Sequence, residues 1–421
     1  MVPEAVTAAQ RRLYKASVPE GWRIVHLADI FEQVVDTGHK ADLPVLSVTV
    51  DGQIIRRSLL DRKFGRVVQR DKYLRVKPGD IAYNTMRMWQ GASGLVKEEG
   101  YISPAYTVCR PREGECPEFW ATYFQYEPMI RAFRDHSQGF AKDRYRLYFP
   151  YFGTIAALRP PASEQQGIVA ALSPIDETIE KTETVIEQLH VTKQATMQEL
   201  LARGLPGRHN NFKKTEIGTV PQAWKVKLLG EVCKLAAGGT PSRSEPRFWN
   251  GSIPWVKTGE VNFKEICKTE ECISEAGLKR SAAKLLPVGT VLLAMYGQGK
   301  TRGRVAILGV EAAVNQACLG FLNHGSLYNK FLFHVLSWSY DRLRRIGNEG
   351  SQKNLSATLV AGVPIPIPDL DEQREISYIL DTLTSRISIE MTALSALINL
   401  RSTLINALLS GEVRVKSEGA S

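Results

Sequence analysis

Residues 291–305, VLLAMYGQGKTRGRV, place Gly299, Lys300 and Thr301 just after an apolar run, in the order that ends a phosphate-cradling P-loop. In such a loop, glycine backbone lets N–H groups converge on phosphate oxygens and the lysine neutralises them. The full spacing needs another glycine five positions before Gly299, and Ala294 stands there. One reading is thus a nucleotide-hydrolysing enzyme using Lys300 and Thr301, with one of its anchors missing. The other reading comes from the neighbouring side chains. Glutamine and arginine make paired hydrogen bonds to adenine and guanine edges, and lysine neutralises a DNA phosphate. Tyr296, Gln298, Lys300 and Arg302 therefore also compose a DNA-facing turn.

Other chemistry has little support. There is no G-x-S-x-G, no H-E-x-x-H and no S-adenosylmethionine-type glycine loop with a downstream acid. The seven histidines (26, 39, 136, 190, 209, 324, 334) are scattered. The six cysteines form no C-x-x-C pair, so buried thiols are expected and no metal site. The N-terminus, MVPEAVTAAQRRLYKAS, has no apolar core of a secretory signal, and no uninterrupted apolar segment approaches bilayer length, so a soluble cytoplasmic protein is expected.

With 421 residues, the chain exceeds one ordinary core, and 54 Lys and Arg against 44 Asp and Glu favour a polyanionic partner. The charge is unevenly spread. Residues 1–160 carry 24 basic and 18 acidic side chains, 161–203 carry 3 and 7, 204–368 carry 22 and 11, and 369–421 carry 5 and 8. Two basic blocks thus alternate with two acidic ones, which is the pattern of a repeat.

The repeat is visible residue by residue. The segment from Pro19 through Trp22 to Leu27 returns 202 positions later as Pro221, Trp224 and Leu229. Residues 162–179 return 208 positions later, with Glu164-Gln165 on Glu372-Gln373, Ile168 on Ile376, Leu172 on Leu380 and Ile179 on Ile387. At the same offset Gln90 falls on Gln298 and Gly91 on Gly299, so the turn bearing Arg87, Trp89 and Gln90 is the counterpart of the GQGKT turn but has no lysine after its glycine. A base-reading loop can exchange its readers between copies. A phosphate cradle cannot lose its lysine. Nearer the helices, KDRYRL (142–147), which opens on Lys142, falls on GSQKNL (350–355), with Arg144 on Gln352, Tyr145 on Lys353 and Arg146 on Asn354. Tyr106, Ser242, Arg243 and Lys257 complete the candidate DNA contacts.

These loops must be carried by rigid elements. Short strand-like runs (43–48, 79–84, 289–296, 304–308) and helical patterns (117–133, 329–346) make each basic block a mixed unit. Ser163 and Asp371 can cap a short helix, and Ser173 and Asp381 a longer one of about 28 residues, roughly 42 Å at 1.5 Å per residue. Heptads place Ile175, Ile179, Ile186, Leu189 and Leu200 on one seam. Leu383, Ile387, Leu394, Leu397, Leu404 and Leu408 form the other, and Lys193 and Arg401 interrupt the two at one register. An antiparallel helix pair is expected.

The whole chain resembles the specificity subunit (HsdS) of Type I restriction-modification systems. The resemblance rests on Pro19 to Leu27 and Pro221 to Leu229, MRMWQGA (86–92) followed by SPAY (103–106), GTPSR (239–243), GSQKNLS (350–356) and the two Glu-Gln openings. It implies an α+β fold with a pseudo-twofold internal repeat, in which two mixed target-recognition domains alternate with long antiparallel spacer helices. The implied boundaries are 1–160, 161–205, 206–368 and 369–412, with a flexible tail at 413–421. It implies a non-catalytic chain that reads a split double-stranded DNA target. It further implies two methyltransferase subunits using S-adenosylmethionine, and restriction subunits using ATP and magnesium that join through them. A sequence-tolerant nucleic-acid clamp is the remaining alternative.

Overall fold

Segments Arg23–His26 and Ala156–Arg159 come together as an antiparallel pair, Arg23 opposite Arg159 and His26 opposite Ala156. The computed structural model that shows this pairing describes residues 18–37, 42–50, 52–59, 72–139, 144–297, 299–323, 325–346 and 354–415. The chain divides into two units, Met1–Thr182 with Ala393–Ser421, and Glu183–Thr392. Each unit therefore takes half of each long helix, which differs from a division into four consecutive blocks.

In the first unit a four-stranded sheet runs in the order Phe31–Val34, Tyr106–Pro111, Ile81–Asn84, Ser93–Leu95, every neighbour antiparallel. Its central strand residues Ile81, Ala82 and Tyr83 are fully buried, which explains a run apolar on both faces. Helices Pro117–Tyr123 and Glu127–Asp135 follow, each with a proline in its first turn, where a missing N–H costs nothing. Their aromatics close the core. Phe31 lies 5.7 Å from Trp120 and 5.5 Å from Phe124 between ring centroids. Ile168 and Leu172 from the first long helix, and Ile405, Leu408 and Leu409 from the second, belong to this same core.

The second unit repeats the plan. Lys225–Leu228 pairs antiparallel with Pro364–Ile367, and Cys233–Ala237, Cys318–Asn323, Val291–Ala294 and Val305–Leu308 reproduce the sheet order of the first unit. A fifth strand, Glu265–Ile266, adds in parallel at the edge. A further four-stranded sheet has the order Glu271–Ile273, Trp249–Val256, Ala312–Val314, Leu285–Leu286. Leu200, Leu201, Ile376 and Leu380 of the long helices join this unit's core beside Trp224.

The long helices are Ala162–Arg203 and Leu370–Leu409, of 42 and 40 residues. The expected break before Ser173 and Asp381 does not occur, and Pro174 lies inside the first helix. Its ring removes one backbone hydrogen bond at a cost of about 3 kcal/mol. Ile168 and Leu172 are anchored in the core just before it, and their burial holds the helix in one piece. All eight heptad positions of each helix, Lys193, Glu390 and Arg401 among them, are buried or half-buried, while Glu180, Glu183 and Glu187 between them are exposed.

Within the first unit the helix segments run antiparallel, because Arg401 meets Asp176 and Arg414 meets Glu164. Within the expected tail at 413–421, Arg414 is ion-paired and Val415 packs on the core. Residues 416–421 lie outside the described residues. One property of the second long helix was not expected. By length and composition alone it is apolar enough to cross a membrane, with a mean hydropathy of 1.3 over 18 residues. The sequence reading missed this because Tyr378, Ile389, Met391, Ile398 and Leu400 on its outer side are exposed but interspersed with polar residues.

Candidate nucleic-acid interface

In the first unit, strands Ile81–Asn84 and Ser93–Leu95 form a hairpin whose loop carries Arg87, Trp89 and Gln90. Met88 is fully buried and anchors a short 3-10 turn, so Arg87 and Gln90 on either side of it are exposed. Gly91 closes the turn at φ +87°, and a Cβ there would meet Ile130 Cδ1 at 3.1 Å, so the position needs glycine twice over. Trp89 donates from Nε1 to the Met86 carbonyl at 3.1 Å and meets the Tyr145 ring edge-on at 6.0 Å. Leu147 N donates to the Thr85 carbonyl at 2.9 Å. The turn and residues 144–147 are thus brought together, with Arg87, Arg144 and Arg146 exposed. None of the three is in an ion pair with a described residue. Tyr106 sits opposite Asn84 in the sheet, half-buried, with its hydroxyl 3.2 Å from Ser47 Oγ.

The second unit makes the same junction. Leu355, the counterpart of Leu147, donates from N to the Met295 carbonyl at 3.1 Å, which docks the stretch containing Asn354 against the GQGKT turn. Tyr296, Lys300 and Asn354 are exposed. Gln298, Gln352, Lys353 and Lys142 lie outside the described residues.

The turn connects antiparallel strands Val291–Ala294 and Val305–Leu308. A P-loop instead leads from a strand into a helix whose N-terminus faces the phosphates. Lys300 and Thr301 have no helix behind them, so the nucleotide reading loses its structural basis. The turn is held from beneath by Tyr340, which donates to the Lys300 carbonyl at 2.6 Å, and by Arg344, which donates to the carbonyls of Gly299 at 3.0 Å and Arg302 at 3.1 Å. Arg302 itself differs from expectation. It is 8% exposed and donates to the Arg344 carbonyl at 3.2 Å, so it braces the loop from inside and does not hold a DNA backbone.

Ser242, Arg243 and Lys257 are grouped elsewhere in the second unit. The Arg243 guanidinium lies 3.6 Å over the Trp249 ring and 2.7 Å from a Glu271 oxygen. Lys257 Nζ is 2.5 Å from Glu270 and 3.2 Å from Glu271. Ser242 Oγ is 2.7 Å from Ser244 Oγ. The Arg243 guanidinium holds the Glu271 carboxyl below its usual range, with Lys257 adding to it, and the bond to Glu270 raises the Lys257 ammonium.

Two polar knots tie each mixed block to the long helices. Trp22 Nε1 donates to Glu164 Oε2 at 2.8 Å, and Arg414 donates to both oxygens at 2.6 and 2.8 Å. In the second unit Trp224 Nε1 donates to Glu372 Oε2 at 2.9 Å, and Oε1 lies 2.8 Å from His209 Nε2. The neighbouring glutamines act alike. Gln165 accepts from Cys116 N at 3.0 Å and donates to the Pro160 carbonyl at 3.1 Å, and Gln373 accepts from Tyr328 N at 2.7 Å and donates to the Pro368 carbonyl at 3.0 Å. The sequence displayed each partner as a repeated motif. Recurrence of the Trp and of the Glu-Gln at nearly one offset was the signal that they meet. Among the described residues no His, Cys, Asp and Glu cluster could hold a metal ion.

A family model described as Type I restriction modification DNA specificity domain matches residues 221–399. The MjaVIII Type I restriction enzyme specificity subunit of Methanocaldococcus jannaschii is 23% identical over 428 residues, covering 97% of this chain and 96% of that protein. The EcoR124I/EcoR124II specificity subunit of Escherichia coli is 29% identical over 187 residues, 42% of this chain and 44% of that protein. In fold, the chain is similar to the S subunit of a Type I restriction-modification system from M. genitalium. That likeness has a TM-score of 0.57 at 14% identity and covers 94% of this chain and 97% of that one. A Type I restriction modification DNA specificity domain is thus matched over residues 221–399, and nearly the whole chain, with its twice-written sheet order, is similar in sequence and fold to Type I specificity subunits.

Proposed function

We propose that the chain reads a split DNA target, one short sequence per unit, and carries no catalytic group itself. The observation behind this reading is the junction made twice, Leu147 to Thr85 and Leu355 to Met295, which presents two loops of unlike side chains on one framework. A repeated support with exchanged readers is what two related domains need to read different bases. Arg87, Trp89, Gln90, Arg144, Arg146 and Tyr106 are assigned to one half-site, with Lys142. Tyr296, Gln298, Lys300, Gln352, Lys353 and Asn354 are assigned to the other, with Ser242, Arg243 and Lys257 as further contacts.

In this reading residues 1–160 and 206–368 are the recognition domains, and 161–205 and 369–412 are spacers that set the gap between half-sites. The partners are two methyltransferase subunits that bind S-adenosylmethionine, and restriction subunits that use ATP and magnesium and join through them. The complex works in the cytoplasm, where the DNA is.

The test is to map methylated adenines in DNA from cells carrying the chain with its methyltransferase. One split motif with a fixed gap is expected. Arg144→Ala should cost about 1–3 kcal/mol of discrimination in one half-site and leave the other unchanged. Methylation with no fixed gap, or the same loss in both halves, would contradict the reading. A sequence-tolerant clamp would show no excess of specific over non-specific affinity at defined salt.

A further inference from the structure

Arg243 and Lys257 converge on a single carboxylate from different elements. Lys257 directly follows Trp249–Val256, and Glu271 opens the neighbouring strand Glu271–Ile273, with Trp255 opposite Glu271 in the ladder. Sheet pairing therefore fixes the spacing of lysine and carboxylate. Arg243 comes from the GTPSR loop, which is tied down where Trp255 Nε1 donates to the Gly239 carbonyl at 3.0 Å. Its guanidinium carbon lies 3.6 Å from the centre of the Trp249 ring, a contact that holds the side chain in place.

Oε2 of Glu271 lies 2.7 Å from Arg243 and Oε1 lies 3.2 Å from Lys257, whose ammonium also meets the more exposed Glu270 at 2.5 Å. Two oxygens of one anion, held by a planar guanidinium on one side and an ammonium on the other, reproduce how a phosphodiester is held. The Glu271 side chain is 29% exposed and that of Arg243 56%, so the guanidinium is open to solvent while already engaged. Ion pairs at such exposure are weak and exchange readily for a stronger anion.

We propose that Glu271 occupies the place of a DNA phosphate in the second unit, and that a backbone phosphate of the bound duplex displaces it from Arg243 and Lys257. Glu271 is then a specificity-determining residue. It withholds two cations from DNA that offers only charge and releases them to DNA whose base contacts hold a phosphate at that point. This rests on the DNA-reading function proposed above.

The test is the full chain carrying Glu271→Gln, with binding to a duplex of random sequence measured over a salt series. The substitution keeps the shape of the side chain and removes its charge. Affinity for the random duplex should rise about tenfold at low salt, and the dependence of log K on log salt should steepen by about one to two phosphate contacts. Adding Arg243→Ala should abolish most of the gain. If Glu271→Gln lowers the melting temperature and leaves duplex affinity unchanged, the triad is only a brace of the sheet and the proposal falls. A gain that persists in the Arg243→Ala background overturns it equally. Because the readout is a random duplex, it is separate from methylation mapping: absence of a split motif defeats the functional reading, and an unmoved salt series defeats this one.

Discussion

Glu164 and Glu372 each hold a tryptophan N–H and a basic side chain in a place almost closed to water. Glu372→Ala would strand the Trp224 indole N–H and the His209 ring, and a loss of about 2–4 kcal/mol in urea unfolding is expected, against less than about 0.5 kcal/mol for Glu177→Ala on the exposed helix surface. His334 gives a pH signature. It is buried against Asp381, with Lys330 and Lys193 nearby, and burial pushes its ring below the ordinary 6.5, with Asp381 only partly opposing this. A histidine whose folded value is depressed binds its proton more readily when unfolded. Stability is therefore complete above about 6.5 and declines as the pH falls from there towards the folded value. Melting temperatures between about pH 7.5 and 5 should fall for the parent and fall less for His334→Gln. Single residues of this kind were half-legible: the sequence singled out Trp22, Trp224 and the Glu-Gln pairs, but a lone histidine such as His334 carries no local sign of its partner 47 positions away.

At the scale of elements, the heptad seams were readable because burial along a helix follows a fixed period, and every assigned seam position is shielded. The helix boundary was not. Ser173-Pro174 has the chemistry of a helix start, and only the burial of Leu172 in one core with Leu408 and Leu409, from a distant part of the sequence, overrules it. Sheet order was hidden for a similar reason, since pairing Phe31–Val34 with Tyr106–Pro111 joins segments some 75 residues apart. The turn at Lys300 was ambiguous in sequence because the strand before it is common to both readings, and only the element after it, a strand, separates them. Lys300 is exposed on a loop fixed by Tyr340 and Arg344. Lys300→Ala should therefore weaken binding to all duplexes by a similar factor and lower the salt slope by about one, with base preference unchanged in methylation mapping.

For the whole molecule, the positive excess lies in the two basic blocks and the two helical blocks are acidic, so in the proposed reading a polyanionic duplex is drawn to the basic blocks at long range. Inserting one heptad into both long helices should change the unread gap of the methylated motif and leave both half-sites as they were; an unchanged gap would show that the helices do not measure it. The two units also differ in how they are assembled from the chain. The second is continuous, Glu183–Thr392, whereas the first is completed only by Ile405, Leu408, Leu409 and Arg414. During synthesis on a ribosome, every residue of the second unit therefore emerges before Ile405, Leu408, Leu409 and Arg414, which the first unit needs to complete its core.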